Sequence, residues 1–284
     1  MNVSTMKEEC MSRFITTADI EAYDRDGVTV LRQVVNADWR ARIEAAIERD
    51  IQNPGPFYHG YESNGGGRFH GNLRLWESDT VFRELCLHSP LPDIAQQCFH
   101  ARRVNLLYDQ LFVKEAGTSN PTRWHNDQPY WPVRGWQVLS IWVALDVTTA
   151  ESGALEFIRG SHHWNRWFQP ETFGKTAALS EYEANPNYEP MPDIDAARTE
   201  YDIVSWDLEP GDAYVFHGMT VHGAGGNRLS NRRRRGYTVR YTGDDVVYDT
   251  RPGTNVHLRN ATLRDGDALD SAQYPVVLPA QEQG

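Results

Sequence analysis

Apolar and polar side chains alternate through Arg103–Lys114 (RVNLLYDQLFVK), and this period of two predicts a β-strand. Strict alternation puts Asn105, Leu107, Asp109, Leu111 and Val113 on one face, and Leu106, Tyr108, Gln110 and Phe112 on the other. The same signal predicts strands at Val28–Leu31, Trp136–Leu145, Ala154–Ile158, Asp202–Asp207, Ala213–His217 and Arg234–Thr242. Turn chemistry separates them at Gly117–Pro121, Glu151-Ser152-Gly153 and Glu209-Pro210-Gly211-Asp212. Before residue 100 the pattern is helical. Thr16 or Thr17 caps Ala18–Arg25, and Asp26-Gly27 ends it. Asn36 caps a second helix with Trp39, Ile43, Ala46 and Ile47 on one stripe. Glu77–His88 and Pro90–Phe99 read as two more, the second with proline in its first turn.

Short strands, Gly/Pro turns and few helices after residue 100 predict a mainly β fold with flanking helices, a double-sheet jelly roll. The expected organisation is one domain over 1–284. A helical platform spans 15–100, the jelly-roll core 101–245, an insertion 163–200 and a surface-wrapping tail 246–284. Residues 1–13 read as a disordered leader. Residues 53–72 read as a long Gly- and aromatic-rich loop, with room for a hairpin, that serves either as a flap over a pocket or as a surface excursion. Its GGG lacks the lysine-serine pair and strand–helix frame of a phosphate loop.

Composition narrows the function classes. A formal charge of -11 argues against a broad electrostatic grip on nucleic acid or an anionic membrane, while leaving room for a locally basic pocket. No apolar run is long enough to span a bilayer, and MNVSTMKEECMSRF carries no secretory segment. Cys10, Cys86 and Cys98 have neither metal nor redox spacing. A cytoplasmic protein acting on a small molecule is the expectation.

The candidate chemistry centres on Thr122–Leu145. His125 and Asp127, two apart at a strand end, can point to the same side. Two imidazoles and a carboxylate on one face hold Fe(II) and leave positions open for water, cosubstrate and dioxygen. His222, followed by Gly223-Ala224-Gly225-Gly226, is placed to return as the second imidazole. By itself His-x-Asp is as compatible with a surface turn. Arg232–Arg235 is the one cationic run. In the strand that begins there Arg234, Gly236, Thr238 and Arg240 share a face, and Arg233, Arg235, Tyr237, Val239 and Tyr241 share the other. An arginine pointing inward would need a carboxylate, which its fork grips in bidentate fashion. Strand parity alone does not choose between Arg233 and Arg234.

Six segments together resemble the phytanoyl-CoA dioxygenase family of Fe(II)/2-oxoglutarate-dependent oxygenases over about residues 15–245. They are DRDGVTVLRQVV from Asp24, QLFVKEAG from Gln110, WHNDQPYWP from Trp124, WVALDVTTAESGALEFIRGSHH from Trp142, LEPGDAYVFHGMTVHGAGGN from Leu208 and RRGYTVRY from Arg234. The resemblance implies a double-stranded β-helix, cupin-like, with iron held by His125, Asp127 and His222. It implies that Arg234 salt-bridges 2-oxoglutarate and that Gln110 and Trp142 line the cosubstrate pocket. The family's histidine-to-arginine segment is usually one residue shorter, which keeps Arg233 as a rival. Asp127 separates the chain from halogenases, which replace that carboxylate with a small residue. Ser152 stands where asparagine is common.

The implied reaction consumes 2-oxoglutarate and O2, releases succinate and CO2, and hydroxylates a substrate carbon. Desaturation, cyclisation and epoxidation are open to the same oxidant. A cupin-like metal-binding protein without turnover, and an isomerase or hydrolase using the same triad, are the alternatives; neither needs a buried cosubstrate anchor. Tyr130, Trp131, Trp142 and Trp167 are candidates for pocket walls or for ordinary packing. Lys114, Arg134, Arg159 and Arg166 are candidates for an anionic substrate group or for solvated surface.

Overall fold

The computed structural model describes residues 14–62, 67–171 and 182–278. In chain order the elements are α1 (Thr17–Asp26), β1 (Val28–Leu31), α2 (Ala37–Gln52), β2 (His59–Glu62) and β3 (Arg68–Leu73). They continue with α3 (Thr80–His88), α4 (Leu91–Phe99), β4 (Val104–Lys114), β5 (Thr122–His125), β6 (Val133–Arg134) and β7 (Val138–Ala144). The last are β8 (Leu155–Ile158), β9 (Ile203–Ser205), β10 (Ala213–His217), β11 (His222–Ala224), β12 (Arg234–Thr242), β13 (Val247–Tyr248) and β14 (Val276–Leu278).

The helix ends follow the local chemistry. Thr16 caps α1 in a reciprocal capping box with Asp19, and Gly27 closes it in the left-handed region at φ 76°. Asn36 caps α2 by accepting from the Trp39 amide.

The main sheet runs β1-β10-β7-β12-β4-β3-β2, with β14 also paired to β4. A smaller sheet runs β5-β11-β8-β9. The pairings within these sheets are antiparallel. This is a jelly roll, and two of its cores frame the main sheet. Between the sheets, Trp142, Tyr214 and Phe216 meet Leu155, Phe157 and Ala224. On the outer face of the main sheet, Ile141, Val215 and Tyr237 meet the helices through Ile43, Phe82, Leu85 and Ile94. The site lies on the first side and the helices brace the second.

The structure corrects two expectations, for β4 and for the tail, and bears out a third. Strict alternation in β4 fails: the pairing with β12 slips between Arg240 and Tyr241, so Leu107 is skipped, and Leu106 joins the helix-side core. A bulge inserts one residue and flips the faces beyond it. The hairpin for which 53–72 left room is present as β2–β3, and it extends the main sheet beside β4. The GGG at 65–67 lies partly outside the described residues, as do the leader, Cys10 and parts of the insertion and tail. The tail does more than wrap the surface: it buries Leu258, Leu269 and Tyr274 and adds β14 as a strand.

Cys86 and Cys98 are buried free thiols. Among the described residues, no helix is long and apolar enough to cross a membrane.

Candidate metal and cosubstrate site

The β5–β11 ladder sets His125 directly opposite His222, with ring centroids 4.2 Å apart. Asp127 follows β5 at the start of a 3-10 turn, Gln128–Tyr130. That turn is fixed because the amides of Asp127 and Gln128 both donate to the Gly218 carbonyl. One ligand atom from each of His125, Asp127 and His222 lies within 4.8 Å of the other two, and all three residues are buried.

Hydrogen bonding orients these groups. Nδ1 of His125 donates to the Arg123 carbonyl at 2.8 Å, and Nδ1 of His222 to the Thr220 carbonyl at 3.0 Å. A carbonyl oxygen only accepts, so in the neutral rings the proton sits on Nδ1 and the lone pair on Nε2. Both Nε2 atoms face Oδ1 of Asp127, at 3.3 and 4.0 Å. Burial, then the neighbouring His125, holds the His222 imidazole down to about 3, so it is neutral. Burial would raise the Asp127 carboxyl, but the Arg240 charge and the two histidines outweigh it and keep it ionised. Two imidazole nitrogens and a carboxylate oxygen thus converge on one point. The donor set therefore fits a divalent transition metal.

The other oxygen of Asp127 is tied back. Oδ2 accepts from the Ser140 hydroxyl at 2.7 Å and lies 3.6 Å from Nε of Arg240. Ser140 and Arg240 are register partners on β7 and β12. The sequence reading missed both; the available signal was that Arg240 shares a strand face with Arg234.

Along the same face of β12, Arg234 is also buried. Its neighbours turn the other way: Arg233 pairs with Glu48 at 2.7 Å, and Arg235 with Asp146 at 2.7 Å. Among the described residues Arg234 donates to the carbonyls of Ser152 and Gly153, at 3.5 and 3.3 Å, and lies over the Trp142 ring at 5.3 Å. Burial lowers its pKa to about 10, which leaves it charged at neutral pH. Gly236 makes room for that ring, since a Cβ there would fall 2.0 Å from it. Gln110, Thr238 and Trp142 form one row across β4, β12 and β7. All three line the same pocket as the triad, Arg234 and Arg240.

Of the other aromatic candidates, Tyr130 lines this pocket, while Trp131 is packed into a separate core and Trp167 stacks on Tyr188. The four cations weighed as substrate contacts or solvated surface do not line this pocket. Lys114 is buried and donates to the Gly225 carbonyl. Arg134, Arg159 and Arg166 pair with Asp265, Asp202 and Glu189.

The chain is 22% identical over 236 residues to dioxygenase aneA of Aspergillus aculeatus, covering 78% of this chain and 70% of that one. It is 23% identical over 246 residues to the peroxisomal phytanoyl-CoA dioxygenase of Rattus norvegicus, covering 82% and 70%. Among solved structures, the non-heme alpha ketoglutarate dependent carbocyclase SnoK of nogalamycin biosynthesis superposes with TM-score 0.73 at 21% identity, covering 92% of this chain and 96% of that one. The epimerase SnoN, solved with Fe3+, alpha ketoglutarate and nogalamycin RO, superposes with TM-score 0.70 at 21% identity, covering 95% and 99%. The family model for phytanoyl-CoA dioxygenase matches residues 23–236, and the chain belongs to that family.

Proposed function

We propose that the chain is an Fe(II)- and 2-oxoglutarate-dependent dioxygenase that hydroxylates an unactivated C–H bond of a small organic molecule, releasing succinate and CO2. One observation carries the reading. A single pocket brings together three ligand atoms that could hold a metal and a buried guanidinium, Arg234, that has no carboxylate partner among the described residues.

His125, Asp127 and His222 would hold the iron. Bound there with 2-oxoglutarate, it supplies the means of activating dioxygen. The chain's own residues do the rest. The backbone bonds at Nδ1 keep both Nε2 lone pairs aimed at the site. Ser140 and Arg240 hold one oxygen of Asp127, so the other stays directed at the histidines. Arg234 receives the distal carboxylate of 2-oxoglutarate as a fork-shaped donor, with Trp142 beneath it. The Thr238 hydroxyl, buried without a partner, is available to the same cosubstrate, and Gln110 stands beside it. Phe69, Tyr108, Tyr130, Leu155 and Phe216 supply apolar wall to the same pocket.

Desaturation, cyclisation or epoxidation would follow from a different placement of the substrate carbon at the same site. A metal-binding protein without turnover has no use for an unpaired buried Arg234. We place the reaction in the cytoplasm, where the buried thiols of Cys86 and Cys98 stay reduced.

The test is aerobic turnover of 2-oxoglutarate to succinate. It should require added Fe(II) and be lost in His222→Ala. Succinate formed equally without iron, or retained in that variant, contradicts the proposal.

A further inference from the structure

The backbone that follows Asp127 is held by a part of the chain outside the family match, which ends at residue 236. The tail supplies donors to five carbonyls of residues 128–133. Arg251 provides three of them. Its Nη2 donates to the Gln128 and Trp131 carbonyls, at 2.9 and 2.6 Å, and its Nη1 to the Val133 carbonyl at 2.8 Å. The amides of Asn255 and Asp249 donate to the Tyr130 and Pro132 carbonyls, at 2.8 and 3.0 Å.

Arg251 has no N–H left over. Nη1 also donates to Oδ2 of Asp249 at 2.6 Å, and Nε donates to the Tyr188 hydroxyl. These bonds engage all five donors of the guanidinium. Its carbon lies 4.8 Å from the centre of the Trp167 ring, and the side chain is 13% exposed. Trp167 and Tyr188 come from the stretch between β8 and β9, so one side chain joins that stretch and the tail to the turn after Asp127. A rigid planar fork fixes the positions of its acceptors as well as binding them. The same turn is gripped on its amide side by the Gly218 carbonyl, which accepts from Asp127 and Gln128. Barrel and tail thus hold it from opposite sides, and Arg251 itself does not line the pocket.

We infer that Arg251 is a positioning residue for the metal site. It acts through the 128–133 backbone to fix where the Asp127 carboxylate meets His125 and His222. It touches neither the metal ligands nor the cosubstrate pocket. The inference rests on the reading of those three residues as the iron ligands.

Anaerobic equilibrium dialysis of Fe(II) against the full chain tests this, with hydrogen exchange as a second readout. Arg251→Gln should weaken Fe(II) binding by about 10- to 100-fold, the range for losing an outer partner of a metal ligand. Arg251→Lys keeps the charge but not the fork, and should stay at least about fivefold weaker than the unaltered chain. Arg259→Gln is the control from the same tail. Arg259 donates to Thr254 and Glu183 and to none of the 128–133 carbonyls, so its loss should change Fe(II) affinity by less than about twofold. In metal-free Arg251→Gln, exchange should quicken in residues 128–133 and not in β11, whereas a general loss of stability would move both. In the unaltered chain, Fe(II) should slow exchange at the Asp249 and Asn255 amides by about twofold or more, because coupling through the segment is reciprocal. That comparison needs no variant and decides the question if Arg251→Gln does not fold. The inference is overturned if Arg251→Gln or Arg251→Lys binds Fe(II) within about twofold of the unaltered chain, if Arg259→Gln loses as much as Arg251→Gln, if β11 exchange quickens along with 128–133, or if iron leaves the two tail amides unchanged. An unaltered chain that binds no Fe(II) contradicts the iron reading before any variant is made, and takes this inference with it.

Discussion

The two faces of β12 differ in how completely the protein satisfies its own side chains. Outward, Tyr237 stacks on Phe82 at 4.9 Å and donates its hydroxyl to Asp109, and Tyr241 donates to the Cys86 carbonyl. Arg235, at the mouth of that face, has Asp146. Inward, among the described residues, Arg234 has only carbonyls, the Thr238 hydroxyl has no hydrogen-bond partner, and Arg240 reaches Asp127 at 3.6 Å without a hydrogen bond at Nε or Nη1. One backbone thus carries a finished face and an unfinished one. The finished face supplies stability, and the groups left incomplete on the other describe what binds there.

The contrast can be broken from either side. The largest effect is expected at the triad, where Asp127→Ala removes the one anionic ligand. Fe(II) affinity should fall by more than about 100-fold, beyond what losing an outer partner of a metal ligand costs. Equilibrium dialysis checks this, and retained iron would mean that the metal sits elsewhere. Next, Tyr237→Ala on the finished face should cost about 3–5 kcal/mol of folding stability, as for other large buried aromatics. Denaturant unfolding measures it, and a loss under about 1 kcal/mol would mean that the outer core is not what holds the sheet.

The smallest effect is a pH slope. Burial pushes the Asp109 carboxyl up to about 7, against an ordinary value of 3.8, with the bonds from Tyr237 and the Trp76 amide only partly offsetting it. The folded state therefore binds this proton more tightly than the unfolded chain does. That contribution is present below about pH 4 and is lost as pH rises to about 7. Asp109→Asn should gain on the unaltered chain across that window, and thermal unfolding at several pH values reports it. Parallel curves would show that Asp109 is ionised when folded.

Much of this was legible in the sequence because it depends on local rules. Caps at Thr16 and Asn36, turns and strand periods placed the elements. His-x-Asp at a strand end, with a second histidine followed by glycines, offered the candidates, and the family resemblance joined them into the triad that lies around the β5–β11 pairing. What escaped depends on non-local geometry. The bulge in β4 is a property of the β4–β12 pairing, so alternation alone misassigned Leu106 and Leu107. The tail looked irregular, yet Asn255 and His257 from it line the pocket. Arg233 and Arg234 differ by one register step, which only the pairing of Arg234 with Lys114 and the Glu48 partner of Arg233 separate. Ser140 had no motif to mark it, and its role exists only because it sits across from Arg240.

The most direct test of the central claim, that the inward face of β12 binds the cosubstrate beside the metal, is anaerobic titration of 2-oxoglutarate into the Fe(II)-loaded chain, followed by visible absorption. A weak charge-transfer band should grow to saturation. Arg234→Gln should raise the concentration needed by about 100-fold or more, the scale of breaking a buried charge pair, and Arg233→Gln should change it by less than about threefold. The account is contradicted if Arg233→Gln causes the loss and Arg234→Gln does not, or if neither changes the titration.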